Sequence, residues 1–395
     1  MSSALDMVKE EIHCRMISER RKFHAWPEVG GEEKETAAYI EREMAKLGMK
    51  PRYAQDTLSA FYLLDTGKAG KTLVLRADMD ALPMPEDREN LAGQKVCISR
   101  RDGYCHACGH DAHTAMLLAA ARILQEKKDE LKGKIWFLFE SGEENGASYR
   151  QVCQVLQTLA ADTIWGVHVT SFMPTGSISV QAGPRMAGAA SFHIRISGRG
   201  GHGSRPDQAV NPVVAAAEIV CKLQSVVPLQ LSPYDAGVMN VASVQGGETW
   251  NIIPQTCDIR GGMRYFSTAV FEKMQRQMEK IVEGVCLANG CRGEFLDTAF
   301  LMPPVDNDAG LAALAESAVE KICPGALVRQ EPWMASESFG RYQQIVPGVF
   351  AFLGMQDEAL GSGALHHNGK FDVDEKCMPL GVAATVQFAV DFLRG

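Results

Sequence analysis

Two short strand patterns in the first 140 residues are apolar at every position. Residues 73–75 (LVL) and 135–138 (IWFL) show no alternation with polar residues, which is typical of strands that helices cover on both faces. Helix patterns alternate with strand patterns here: helices at 4–24, 32–47 and 114–128, strands at 60–64, 72–76 and 134–139. This order predicts an α/β fold with a mostly parallel sheet covered by helices on both faces, and functional residues at the carboxyl ends of its strands.

From about residue 186 the pattern changes. Strand patterns at 190–196, 236–244 and 256–264 are separated by helix patterns at 211–224 and 267–289. The order of strand, helix, two strands, helix and final strand predicts a self-contained α+β, ferredoxin-like domain. We therefore expect residues 186–300 to be inserted as a satellite domain into a main domain formed by residues 1–185 and 301–395.

Composition limits the classes of partner. With 395 residues, 46% of them hydrophobic, the chain can bury two cores. The net charge of −8 and the scattered basic residues argue against nucleic acid and anionic membranes, so a small molecule is the expected partner.

The charged N-terminal pattern and the lack of any run of eighteen apolar residues favour a cytoplasmic protein. Eleven dispersed cysteines indicate reduced thiols or metal ligands rather than disulfides.

Residues 105–113 contain two cysteines and three histidines, a density of metal ligands that neither a core nor a surface requires. Cys108 and His110 offer a thiolate and an imidazole on one short loop, and this pair favours a metal site. A structural zinc knuckle, or a buried thiol beside a capping histidine, is the alternative. Cys105 and His106 are weaker candidates and are more typical of loop residues.

Glu143 and Glu144 follow the strand pattern at 134–139. Adjacent carboxylates project differently, so one can bind metal while its neighbour takes a proton from an attacking water. Metal-assisted hydrolysis requires that division. A glutamate pair at a strand end is usually only a solvated loop, and the cysteine and histidine cluster makes this pair a candidate site.

The remaining histidines are ambiguous on their own. His168 lies in an apolar strand pattern, where a lone histidine is more often a core residue than a ligand. His366 and His367 precede an Asn-Gly turn, so a loop can project either ring into a cleft or leave both exposed. His202 lies in a glycine-rich turn, where it can cap the following helix or stabilise an oxyanion.

The chain resembles a known family over essentially its whole length. The strings that carry the resemblance are HAWPEVGGEEKETA (24–37), LRADMDALP (75–83), HACGHDAHTA (106–115), the glutamate pair 143–144, GVHV (166–169), GRGGHGSRPDQAVNPV (198–213), ASESFG (335–340) and LHHNGKFDVDE (365–375). Their order closely resembles the hippurate hydrolase, N-acyl-amino-acid amidohydrolase and auxin-conjugate hydrolase branch of the dinuclear metallopeptidases related to aminoacylase.

The resemblance implies a set of roles. The metal ligands would be Cys108, His110, Glu144, His168 and His367. Glu143 would be the general base, His202 would polarise the substrate carbonyl, and Arg264 with Asn251 would bind the substrate carboxylate. Two divalent ions (zinc, manganese, cobalt or nickel) would assist hydrolysis of an N-acyl or N-aroyl amino acid into a carboxylic acid and an amino acid. The satellite domain would form a homodimer.

The chain departs from the family pattern in the loop at 85–104 and at two places closer to the predicted ligands. Ser141-Gly142 stands where the family usually has Pro-Ala, and Ser338 replaces an acidic residue. Two other functions remain open: a dipeptidase or aminopeptidase on the same dinuclear site, and a catalytically silent protein that holds metal and binds acylated amino acids. The retained Glu143 argues against the silent protein, which would have no need of a base.

Overall fold

The computed structural model describes residues 8–394, with the backbone alone at residue 300. The predicted helix at 4–24 therefore begins outside the described residues. The α-helices are α1 (Glu10–Ala25), α2 (Lys34–Lys46), α3 (His110–Glu126), α4 (Tyr149–Leu156), α5 (Pro212–Leu223), α6 (Val226–Gln230), α7 (Thr268–Ala288), α8 (Ala309–Ile322), α9 (Phe339–Gln343) and α10 (Met378–Arg394). The strands are β1 (Pro51–Tyr53), β2 (Ala60–Asp65), β3 (Thr72–Asp78), β4 (Lys134–Glu140), β5 (Thr163–Pro174), β6 (Ile178–Ser179), β7 (Gly183–Met186), β8 (Gly188–Ser197), β9 (Gly201–His202), β10 (Gly237–Gln245), β11 (Ile252–Ile253), β12 (Thr256–Tyr265), β13 (Arg292–Met302), β14 (Val305–Asn307) and β15 (Gly348–Gln356).

The chain divides into two compact units. The first runs to Gly183 and also contains Asp306–Glu331 and the chain from Arg341 onward. The second consists of Pro184–Val305 and Pro332–Gly340. The sequence predicts a main domain of residues 1–185 and 301–395 and a satellite domain of residues 186–300. That these parts fold as independent domains stays a prediction.

A seven-stranded sheet in the order β1-β2-β4-β3-β5-β15-β6 forms the centre of the first unit. Its four middle strands, β4, β3, β5 and β15, are parallel, and antiparallel strands flank them on both sides. Every residue of β3 is buried, as expected for a strand covered on both faces. The prediction of an α/β fold with a mostly parallel central sheet is confirmed.

Helices α3 and α10 supply much of the apolar core beside this sheet. All residues of α3 from His110 to Leu124 are buried, and α10 is buried along most of its length. In the described part of the chain, the segment Glu375–Arg394 is long and apolar enough to cross a membrane, but 78% of its most apolar window is buried inside the protein. It is therefore a core helix by packing.

The second unit contains a four-stranded antiparallel sheet in the order β10-β12-β8-β13. With α5 after β8 and α7 after β12, the chain order is βαββαβ, which is the ferredoxin-like topology expected from the sequence. Asn211 and Ser267 cap the two helices, because their side-chain oxygens accept hydrogen bonds from backbone N–H groups in the first turns. Apolar residues of these strands and helices form a separate core.

Candidate metal centre

The register of the parallel strands places several functional residues at one edge of the sheet. Asp78 at the end of β3 lies opposite Glu140 at the end of β4. On the other side of β3, Arg76 lies opposite Gly166 of β5. His168, two residues beyond Gly166, is thus carried to the level of Asp78, at the carboxyl edge where sites in open α/β sheets form.

Gly109 sets the geometry of the Cys108 and His110 pair. It has φ +89°, a left-handed conformation that glycine adopts without cost, and a Cβ there would lie 2.3 Å from Val169 Cγ2. Helix α3 begins directly after it, at His110, rather than at Thr114 as the apolar periodicity predicted. The first turn of the helix carries polar side chains of the site, so the apolar periodicity that predicts a helix is absent there.

The structure brings six of the predicted residues together. Overlapping sets of ligand atoms, each within 4.8 Å of one another, are formed by Cys108 with His110 and His168, by Cys108 with Glu144 and His367, and by His110 with Glu143 and Glu144. Cys108 Sγ lies 3.6 Å from His168 Nε2, and His367 Nε2 lies 3.3 Å from Glu144 Oε1. Side chains distant in sequence thus converge on one small region.

Asp80 orients two of these residues, a contact that the local sequence did not predict. Its Oδ1 accepts a hydrogen bond from His110 Nδ1 at 3.0 Å, and its Oδ2 accepts one from the Glu144 backbone N–H at 3.0 Å. His110 Nε2 is left buried and without a hydrogen bond among the described residues. A buried, unpartnered imidazole nitrogen beside a thiol and carboxylates fits a bound cation. The available signal was the position of Asp80 just past the end of β3.

A third histidine, His113, belongs to the supporting structure. Its Nδ1 donates to Asp78 Oδ1 at 2.6 Å, and its Nε2 accepts the Val169 N–H at 2.9 Å. Both ring nitrogens are therefore used, although Asp78, His110 and His113 also offer clustered ligand atoms. Arg76 donates hydrogen bonds to both Asp78 and Glu140, at 2.7 Å each, and so links the ends of β3 and β4.

Electrostatics at the centre favour a cation. Burial, and then the charge of Glu144, raise the pKa of the Cys108 thiol well above its ordinary value. Burial, and then the nearby His113 and His366, lower the pKa of His168 well below its ordinary value. His168 is therefore a neutral imidazole whose Nδ1 donates to the Val169 carbonyl at 2.7 Å, and a positive ion is what would stabilise the Cys108 thiolate.

The loop before Glu143 is fixed by Glu33. The Glu33 carboxylate accepts the Gly142 N–H and the Ser141 hydroxyl, each at 2.7 Å, and the Ser141 N–H donates to Ser59 Oγ at 2.9 Å. Burial raises the pKa of Glu33 to about 7. The two residues that depart from the family pattern thus join a hydrogen-bonded network that a proline at position 141 could not form.

The two adjacent histidines near the end of the chain have different environments. His367 is half exposed, has φ +59°, and donates its backbone N–H to the Ala107 carbonyl at 2.9 Å. His366 is less exposed: its Nε2 accepts the Ser171 N–H at 3.3 Å, and its Nδ1 lies 3.7 Å from Cys108 Sγ. The sequence alone left open which ring would enter a cleft.

The other predicted site residues lie in the second unit. His202 is exposed on β9, which pairs with β11, and the Gly203 N–H donates to the Asn251 carbonyl at 2.8 Å. His202 and Asn251 are therefore neighbours. Arg264 is half-buried on β12, where its Nη1 donates to the Met263 carbonyl at 3.1 Å.

The two weaker ligand candidates, Cys105 and His106, are buried, and so is Ser338, which departs from the family pattern. Cys105 and His106 lie outside the clustered ligand sets found among the described residues, and burial raises the pKa of the Cys105 thiol to about 12. Ser338, in the second unit, donates to Glu337 Oε1 at 3.1 Å.

Comparison with known proteins gives one consistent family. The model of Peptidase family M20/M25/M40 matches residues 74–391. The chain is 35% identical to IAA-amino acid hydrolase ILR1-like 4 of Arabidopsis thaliana, over 96% of this chain and 86% of that protein. It is 31% identical to N-acetylcysteine deacetylase of Bacillus subtilis (strain 168), over 98% and 99% of the two chains. The structure of Bacillus subtilis YxeP, a dinuclear metal-binding peptidase of the M20 family, superimposes with a TM-score of 0.85 and 28% identity, covering 98% and 99%.

Proposed function

The chain belongs to the M20/M25/M40 peptidase family, and on that premise we propose that it is a metal-dependent amidohydrolase of N-acyl or N-aroyl amino acids. The relatives act, by their names, on conjugates in which an amide joins an acyl group to an amino acid. The products would be a carboxylic acid and a free amino acid.

The observation that carries the proposal is the donor set around the buried Nε2 of His110. We assign the cation ligands as Cys108, His110, Glu144, His168 and His367. Thiolate and imidazole donors suit zinc, while carboxylate and imidazole also suit manganese, cobalt and nickel. Five donors shared by two ions would leave positions open for substrate and water, as a catalytic rather than a structural site requires.

Two bound divalent ions would polarise the substrate carbonyl and acidify the attacking water. Glu143 lies beside Glu144 and in one ligand set with His110. In our mechanism its carboxylate accepts a proton from the water as the new C–O bond forms. It then passes that proton to the leaving nitrogen as the C–N bond breaks, so the base returns to its starting state.

His202 is suited to stabilise the negative charge that develops on the carbonyl oxygen. Its Nδ1 accepts the Ser204 N–H at 3.1 Å, so the ring proton of neutral His202 is on Nε2. An exposed Nε2–H is the donor that an oxyanion requires. Arg264 would pair with the substrate carboxylate and Asn251 would add a neutral hydrogen bond, which would explain a preference for acylated amino acids over simple amides.

We further propose that the second unit serves as a dimerisation domain and that the enzyme acts in the cytoplasm. Strands β10 and β13 form the two ends of its sheet, and exposed sheet edges suit pairing between subunits. If His202 acts in the neighbouring subunit's site, refolding His202→Ala chains together with Glu143→Gln chains should restore activity. Mixed dimers would hold one site with both residues intact. An absence of activity despite proven mixing would place His202 in its own chain's site.

The substrate class is tested by a mass-spectrometric screen. Protein reconstituted with zinc, manganese, cobalt or nickel is incubated with N-acetyl, N-benzoyl and indole-acetyl amino acids and with dipeptides. Turnover of blocked amino acids but not of dipeptides with a free α-amino group supports the proposal, and the reverse pattern indicates a dipeptidase. Glu143→Gln protein is the control for contaminating activity, and no turnover of any compound would favour a binding protein.

A further inference from the structure

His366 precedes His367 in the chain, and its ring also lies beside Cys108. Its Nδ1 lies 3.7 Å from Cys108 Sγ, a distance at which an N–H group can donate to sulfur. The ring is held between two aromatic neighbours, with its centroid 4.9 Å from that of Phe371 and 5.4 Å from that of His168. These two ring contacts restrict the orientation of His366.

The Ser171 backbone determines which nitrogen of His366 carries the proton. Its N–H donates to His366 Nε2 at 3.3 Å, and a nitrogen that accepts a hydrogen bond is unprotonated. The ring proton must therefore be on Nδ1, the atom that lies 3.7 Å from Cys108 Sγ. The His366 ring also has a hydrogen bond with the Cys108 backbone, so both contacts hold it against Cys108. Binding of a cation by Nδ1 would remove that proton and leave an imidazolate, so the geometry disfavours His366 as a ligand.

We propose that His366 is a positioning residue whose Nδ1–H donates a hydrogen bond to the Cys108 thiolate. This inference rests on the proposed function, because it requires Cys108 to bind a cation as the thiolate. A hydrogen bond to a ligating sulfur withdraws electron density from it and fixes its direction. The bound ions then receive less charge from the sulfur and remain better Lewis acids, while the buried thiolate is a weaker nucleophile and harder to alkylate.

Cobalt-loaded protein gives a readout that is independent of activity. A thiolate bound to Co²⁺ produces a sulfur-to-metal charge-transfer absorption band in the near ultraviolet, whose energy falls when the sulfur loses a hydrogen bond. His366→Asn and His366→Gln are a matched pair, because the Asn amide nitrogen reaches the position of Nδ1 and the Gln amide nitrogen reaches that of Nε2. His366→Leu removes both nitrogens.

We expect the band of His366→Asn to stay at the wild-type wavelength, and the bands of His366→Gln and His366→Leu to move to longer wavelength. Iodoacetamide should alkylate Cys108 faster in cobalt-loaded His366→Gln and His366→Leu than in the cobalt-loaded wild type. Should the leucine variant fail to fold, the comparison of His366→Asn with His366→Gln alone decides.

Equal band positions in the Asn and Gln variants, or loss of one cobalt per chain from His366→Asn, would overturn the inference. The Cys108→Ser protein separates the two proposals: if it keeps the wild-type band, the assignment of Cys108 as a ligand fails as well.

Discussion

His110 Nδ1 lies 3.0 Å from Asp80 Oδ1, so the carboxylate fixes both the tautomer and the direction of the imidazole. The arrangement leaves Nε2 as the buried atom that faces the other ligand atoms. We expect Asp80→Ala to weaken divalent-ion binding by about 10–100-fold, as is typical when such an orienting partner is removed. Titration of metal-free protein with zinc in a competing chelator measures this. Asp102→Ala, which removes an exposed carboxylate, is the control, and equal affinities in both variants would contradict the role of Asp80.

The two adjacent glutamates should have separable roles. Glu143→Gln should keep both metal ions and the fold but lower kcat by roughly 10²–10⁴-fold, because an amide cannot accept the proton of the attacking water. Glu144→Gln should instead lose metal, since Glu144 is close to both His110 and His367. Metal analysis beside steady-state kinetics distinguishes the two variants. Near-normal turnover by Glu143→Gln would show that the base lies elsewhere.

The two cysteines of the ligand-rich segment should differ in their effect on metal content. An active preparation should contain close to two divalent ions per chain. Cys108→Ser should lose metal far more readily than Cys105→Ser, because only Cys108 Sγ lies in the ligand sets of the described residues. Elemental analysis after dialysis against a weak chelator gives the comparison. A wild-type content near one ion that excess metal does not raise would exclude the two-ion mechanism, and the reverse order of the variants would mean that the wrong thiol was assigned.

The difference between local and long-range signals explains what the sequence could predict. Cys108 and His110 lie on one short loop, so their spacing alone predicted a site. His168 could be interpreted only through the family resemblance, because its place beside Cys108 comes from the pairing of β3 with β5, which local pattern does not encode. The roles of Asp80 and Glu33 depend on side-chain hydrogen bonds between distant segments. The choice between His366 and His367 likewise depends on the conformation of one turn.

Glu33 should make stability depend on pH. Burial raises its pKa from an ordinary 4.5 to about 7, so the folded state holds this proton more tightly than the unfolded chain does. The tighter binding of this proton therefore adds to the free energy of unfolding, by at most about 3 kcal/mol, when the pH is below 4.5. This stabilisation is lost as the pH rises through 7. Urea unfolding of wild type and Glu33→Gln between pH 5 and 8 measures it. The free energy of unfolding should fall more steeply with pH in the wild type, and parallel curves would refute the assignment to Glu33.

Arg264 and His202 should affect different kinetic constants. Arg264→Ala should mainly raise KM and weaken the preference for a free substrate carboxylate, because an ion pair to that group forms in both the ground state and the transition state. His202→Ala should mainly lower kcat, because its hydrogen bond to the carbonyl oxygen strengthens only as negative charge develops there. The two roles are separated by kinetics with two compounds: an N-acyl amino acid, and the same molecule with its carboxylate replaced by a neutral carboxamide. Arg264→Ala should bring the two compounds to similar kcat/KM, whereas His202→Ala should lower both in parallel. A His202→Ala variant that lost only the carboxylate preference would instead make this histidine a second group that binds the carboxylate.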